Sequence, residues 1–183
     1  LVGAACVLFC FLYTTLLAQH GMGDVLVLLF FGLVPVCLTY YVTLPPASQT
    51  ITAQVVWASL ACGLVIDTLL VVNNYRDYDQ DRAVGKKTLI VRMGRERAEQ
   101  LYGWLGNIAT YMMWGCLVLG DSSFVLMLVC FACFVPYALL HGATRVQMRR
   151  IGRGRKLNKV LGMTARNMFV FGVTTAIVTL FIL

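Results

Sequence analysis

Between residues 67 and 92 the chain gathers side chains able to do polar chemistry: Asp67, Asn73, Asn74, Arg76, Asp77, Asp79, Asp81, Arg82, Lys86, Lys87 and Arg92. Asp67 sits within an apolar run. An intramembrane carboxylate costs at least ~2.5 kcal/mol at the bilayer centre and somewhat less at that depth, which makes it a candidate functional group. A helix carried through 67–81, at about 100° per residue, would put Asn74 about 20°, Asp81 about 40° and Asp77 about 80° from Asp67 around its axis. Arg76 and Asp79 would point elsewhere. Asp77 and Asp81, like charges four residues apart, repel each other in an isolated helix. A divalent cation between them reverses that penalty. Oxygen-only ligands suit Mg²⁺, which completes its shell with water and substrate phosphates. Arg76, Arg82, Lys86, Lys87 and Arg92 are cations suited to a diphosphate.

The elements that position these residues are membrane spans. Hydrophobic residues make up 60% of the chain and charged residues 13%, with mean hydropathy +0.79. A soluble domain carries roughly 25% charge. A span needs about 20 apolar residues to cross about 30 Å of hydrocarbon. Runs of that kind cover about 2–18, 25–43, 51–72, 101–119, 124–140 and 160–183. The expected fold is an all-α, polytopic transmembrane bundle with a single domain over 1–183 and a cytoplasmic catalytic loop at 73–97. The chain starts at Leu1 inside an apolar run with no basic start before it, which reads as a fragment lacking its amino-terminal part rather than as a signal peptide.

All 15 Lys and Arg fall within 76–97 and 145–166. Two spans separate these stretches, so both belong on one side, and the positive-inside rule makes it the cytoplasmic side. The net charge of +7 is therefore a topology signal first. It does not indicate nucleic-acid binding, because no soluble surface surrounds the basic residues to form a groove. The seven cysteines all lie in apolar runs and read as small buried hydrophobes; Cys130-x-x-Cys133 lacks the second pair or His that a zinc site needs. His141, at a span end, reads as packing, as does His20. Pro35 and Pro136 should kink their spans, and Ser48 or Thr50 should cap the third. Gly85-Lys86-Lys87-Thr88 is not a phosphate loop, since Gln80 stands where that motif needs Gly.

The run Asn73-Asn74-Tyr75-Arg76-Asp77-x-x-x-Asp81-Arg82-x-x-Gly85-Lys86-x-Thr88-Leu89-x-Val91-Arg92-x-Gly94 resembles the second aspartate-rich region of UbiA-superfamily aromatic prenyltransferases, in the form found in the branch acting on 1,4-dihydroxy-2-naphthoate. Two weaker matches, 32–41 with Thr39-Tyr40-Tyr41 and the stretch Leu157-Asn158-x-x-Leu161-x-x-Thr164-Ala165, fit the same family. The resemblance implies nine spans, of which these six are the fourth to ninth, and an upstream aspartate-rich motif that this chain lacks. It implies transfer of a polyprenyl group from an allylic diphosphate to 1,4-dihydroxy-2-naphthoate with loss of CO₂, in menaquinone synthesis. The partners implied are the polyprenyl diphosphate, the naphthoate and the lipid bilayer, with Mg²⁺ as cofactor. The site would face the cytoplasm in a multi-pass protein of the cell (inner) membrane. On that reading Asp77 and Asp81 hold metal, Asn74 and Arg76 join them in catalysis, and Asn73, Arg82, Lys86, Lys87, Arg92 and Asp67 bind substrate. Alternatives are another aromatic acceptor or a non-enzymatic bundle such as a transporter, although transport favours polar groups at mid-membrane. A phosphatidyltransferase would need a Gly where Arg82 follows Asp81.

Overall fold

A computed structural model describes residues 21–118 and 123–181, together with Gly3 and Val7. The rest of the expected first span, with Cys6, Cys10 and His20, lies outside the described residues. As expected, the chain is all-α, and no strand occurs among the described residues. Helix α1 is Gly23–Thr43 and α2 is Ala53–Arg76. Two short helices follow, α3 (Tyr78–Ala83) and α4 (Leu89–Met93), then α5 (Arg95–Val118), α6 (Phe124–Ile151) and α7 (Asn158–Phe181).

Four described segments are long and apolar enough to cross a membrane: α1, α2, α6 and the stretch Arg155–Leu180 that contains α7. Helix α5 covers the expected span 101–119 and matches α2 at 24 residues, but Arg95, Glu96, Arg97 and Glu99 crowd its first turns. Helix α2 is the centre of the bundle. It packs against α1, α5 and α7, while α6 closes the other side against α5 and α7.

Local sequence explains where the helices bend and end. Pro35 has no N–H to give, and its ring would strike the carbonyl four residues back. The chain meets this with a π-helical stretch, Leu28–Leu33, whose wider turns carry that carbonyl aside. Pro136, in contrast, sits inside an unbroken α6. Leu44 turns to extended backbone before Pro45-Pro46, which ends α1. The start of α2 differs from expectation. Pro46–Ser48 forms a 3₁₀ turn, so the helix begins later and its cap is Thr52, whose Oγ1 accepts the Val55 N–H at 3.4 Å.

Helices α1 and α2 touch backbone to backbone. A Cβ on Gly32 would lie 2.7 Å from both the Gly63 Cα and the Ser59 carbonyl oxygen. In lipid, where burial of apolar surface drives little association, such close approach is what holds helices together.

A buried polar knot joins α5, α6 and α7. His141 stacks on Tyr102 at 4.4 Å between ring centres, and its Nε2 donates to the Tyr102 carbonyl at 3.0 Å. The Tyr102 hydroxyl pairs with Thr164 Oγ1 at 3.1 Å, and Asn167 donates to Thr144 Oγ1 at 2.9 Å. His141 is therefore a core residue of a longer helix than the sequence suggested, and Gly106 leaves the space for its ring.

One consequence is measurable. Gly32→Ala should destabilise the detergent-solubilised protein by about 1–3 kcal/mol through overpacking. Gly172→Ala, where a Cβ meets nothing within 4 Å, should leave thermal unfolding unchanged or raise it slightly, as Ala favours helix.

Candidate active site

The two basic stretches meet at one end of the bundle, where two joints link them and a third closes α3 on its own turn. The first is at Asp77. Helix α2 stops at Arg76, and Asp77 takes φ −89°, ψ 4° before α3 begins. Its N–H donates to Asn73 O at 3.1 Å and its own carbonyl accepts the Asp81 N–H at 2.8 Å. The side chain is gripped by its neighbour: Arg76 Nε and Nη2 donate to the two carboxylate oxygens at 2.7 Å each. The single continuous helix expected through 67–81 is thus broken, because this fork between adjacent residues belongs to a helix end. The hydrogen-bonded guanidinium of Arg76 holds the Asp77 carboxyl below the usual carboxylate range. Arg76 Nη1 reaches on to Asn158 Oδ1 at 3.1 Å, tying α2 to the start of α7.

The second joint is Arg95, which sequence reasoning did not single out. Its Nη1 donates to the carbonyls of Tyr75 at 3.0 Å and Gly152 at 2.7 Å, and its Nη2 to Asp79 at 3.0 Å. The guanidinium lies over the rings of Tyr75 and Tyr78 at 4.9 and 4.8 Å. The Tyr75 hydroxyl donates to Glu99 at 3.1 Å. Asp79 is consequently an exposed partner of Arg95.

Asp81 forms the third. It is 8% exposed. Lys86 Nζ reaches its Oδ1 at 3.3 Å and the Lys86 N–H bonds to its carbonyl at 2.9 Å, closing α3 onto the following turn. Its Oδ2 is buried without a hydrogen-bond partner. Lys86 also acts electrostatically on Asp77.

The remaining predicted residues divide between faces. Asn74 and Lys86 line a small cavity with Asp24 and Thr88. Asn73 borders an apolar groove with Leu69, Leu161, Gly162 and Ala165 along the α2–α7 seam. Above it, Arg76, Asp77, Asp79, Gln80, Gly154, Arg155 and Asn158 line a polar cleft of about 380 Å³. Asp67 is fully buried with Oδ1 unpartnered. Arg82, Lys87 and Arg92 are exposed. Asn158 and Asp24 were also overlooked as site residues. An acid at the start of an apolar run is a legible signal for the latter.

Among the described residues no three His, Cys, Asp or Glu side chains converge closely enough to hold an ion by themselves. The oxygen donors present still fit Mg²⁺, which needs only one or two carboxylates. The unpartnered, buried Asp81 Oδ2 is the atom on which that fit rests.

Residues 1–173 match the UbiA prenyltransferase family. The chain belongs to this family. Among similar curated proteins, 1,4-dihydroxy-2-naphthoate octaprenyltransferase of Mycobacterium tuberculosis is 34% identical over 184 residues, covering 96% of this chain and 57% of that protein. The Mycobacterium leprae protein of the same name is 33% identical with the same coverage, 96% and 57%. The Escherichia coli one is 33% identical over 119 residues, 65% of this chain and 32% of its own length. The chain thus spans between a third and somewhat over half of these relatives. No solved structure matches.

Two outcomes are expected. Arg95→Lys keeps the charge but not the planar fork, so it should speed amide exchange and proteolysis across 76–88, while Asp79→Asn, removing one exposed partner, should do so much less. The Arg76–Asp77 pair, through a lowered folded pKa, contributes stability that is present above the unfolded carboxylate value of about 3.9 and is lost as pH falls through the lower folded value. Asp77→Asn should therefore flatten the acid limb of a thermal-unfolding profile against pH, leaving the neutral region nearly parallel.

Proposed function

We propose that this chain forms part of the transmembrane domain of a prenyltransferase that joins a polyprenyl group from an allylic diphosphate to 1,4-dihydroxy-2-naphthoate. The observation that carries the reading is the similarity of 96% of the chain to proteins of that name. The geometry supports it. The polar cleft around Arg76, Arg155 and Asn158 suits a diphosphate, with fixed guanidinium donors in place of water. Asn73 lies one helical turn from Arg76 and Asp77, and Leu161 one turn from Asn158, so the apolar groove continues along the same seam. Head and tail of an isoprenoid diphosphate have complementary surroundings there.

In the reaction the allylic C–O bond breaks and diphosphate leaves with the electron pair. A carbon of the electron-rich ring forms the new C–C bond, and the ring carboxylate departs as CO₂. Mg²⁺ bound by Asp77 and Asp81 would supply charge stabilisation for the departing diphosphate. The chain's own residues do the rest. Arg76, with Asn158 fixing its third donor, presents a positive edge to the leaving group. Lys86, Lys87, Arg82 and Arg92 add positive charge around the 82–92 turn, where the acceptor's carboxylate or the diphosphate would be held. Asn73 and Asn74 offer neutral donors and acceptors one turn deeper, and Asp67 marks the inner end of the polar column. On this reading the membrane is that of the cell and the basic end faces the cytoplasm, which the charge asymmetry supports.

A comparison of two aspartates tests the assignment in the full-length protein. Asp81→Ala should lower turnover of 1,4-dihydroxy-2-naphthoate roughly 10²- to 10³-fold, the loss expected on removing a group that stabilises transition-state charge. Asp79→Ala removes an equal charge from the same loop but only an exposed ion pair, worth at most about 1 kcal/mol. Its turnover should stay within about tenfold. Equal losses in the two variants would overturn the site.

A further inference from the structure

Three buried carboxylates at the polar end have an oxygen without a hydrogen-bond partner: Asp24 Oδ1, Asp67 Oδ1 and Asp81 Oδ2. They come from three elements, the start of α1, the interior of α2 and α3. Lys86 Nζ is 3.3 Å from Asp81 Oδ1, and its side chain also lines the small cavity on whose wall Asp24 lies. That cavity, about 30 Å³, is also lined by Asn74, Thr88, Leu70, Gly21 and Gly23. A group the size of water needs roughly 10–15 Å³, so an ammonium fits. Asp24 is 8% exposed. Lys86 therefore has two buried carboxylates within its surroundings and bonds to one.

Resting on the metal reading above, we infer that Lys86 is a movable counterion, held by Asp81 until a divalent cation takes that carboxylate and then received by Asp24 across the cavity. The physical need is plain. A buried carboxylate without a partner is costly, so Asp81 requires a cation in the metal-free protein, and Lys86 provides it. When a divalent ion arrives, an ammonium left at 3.3 Å from the same carboxylate would repel it. Moving the ammonium towards Asp24 removes that repulsion and gives a second buried carboxylate its counterion. Asp24 is on this account a positioning residue that acts through Lys86 and touches neither metal nor substrate.

The distinguishing test is a double-substitution cycle read by Mn²⁺ binding, with electron paramagnetic resonance of the free ion, on the full-length protein in detergent without substrate. Lys86→Met should tighten Mn²⁺ binding by about three- to tenfold, because a competing cation is gone. A lysine that simply binds diphosphate would give no change. Asp24→Asn should weaken Mn²⁺ binding by a similar factor in the presence of Lys86 and have no effect when combined with Lys86→Met. A merely structural role for Asp24 would weaken binding equally in both backgrounds and overturn the inference, as would unchanged or weaker binding in Lys86→Met. If the unsubstituted protein binds no Mn²⁺ while Asp81→Ala still lacks prenyl transfer, the metal reading falls and the counterion inference falls with it. If Mn²⁺ binds and only the cycle fails, the metal reading stands and the inference alone is lost.

Discussion

The polar end of this bundle depends on one guanidinium. Arg95 begins α5, yet its donors reach the last turn of α2 through the Tyr75 carbonyl, the exit of α6 through the Gly152 carbonyl, and α3 through Asp79. A helix carboxyl end leaves carbonyls without intrahelical partners, and here two such ends are satisfied by a single side chain. Its position over Tyr75 and Tyr78 keeps it largely out of water, where hydrogen bonds to a charged donor are strongest. Because α2 is also the central helix of the bundle, fixing its end fixes where Arg76, Asp77 and the α3 turn can sit.

Beneath that latch the bundle offers two kinds of support. Near the polar end, Val72, Tyr75, Ile90, Tyr102, Met148, Leu157 and Val160 form one apolar cluster shared by five helices and a turn. Deeper, Phe171 meets Tyr137 edge to face and Phe134 at a tilt. Between them runs the His141–Tyr102–Thr164 and Asn167–Thr144 knot, whose hydrogen bonds demand one registration of α5, α6 and α7. Dispersion alone would tolerate small slides of these helices. Paired polar groups in the same layer do not.

Much of this was legible in the residues. Apolar runs gave the helices and their breaks at Pro45-Pro46, and charge distribution brought 76–97 and 145–166 to one end, where Arg76 meets Asn158 and Arg95 meets Gly152. Helical periodicity separated Asp79 from Asp81, and the fold leaves the first exposed and the second buried. What could not be read was the break at Asp77, since a fork between residues 76 and 77 forms only if the helix has already ended. Nor could periodicity find Arg95, whose partners are mostly main-chain atoms far away in sequence. Asp24, an acid at the start of an apolar run, could be noticed but its burial could not: its turn packs against the 87–89 loop, with Gly21 close to the Lys87 carbonyl.

The choice of main-chain carbonyls as partners for Arg95 bears on how the protein can drift over evolution. A side-chain pair constrains two positions, and a change in one invites a compensating change in the other. A carbonyl is supplied by any residue, so position 152 need only keep its backbone course, a left-handed φ of 66°. Tyr75 differs, because its ring also lies under the Arg95 guanidinium. Substitutions at 95 would find no rescue at 152. The link between α5 and α6 at this end would thus leave no correlated substitutions behind. A survey of co-varying pairs would register Arg95 with Asp79, Tyr75 and Tyr78, and miss the contact that holds α6.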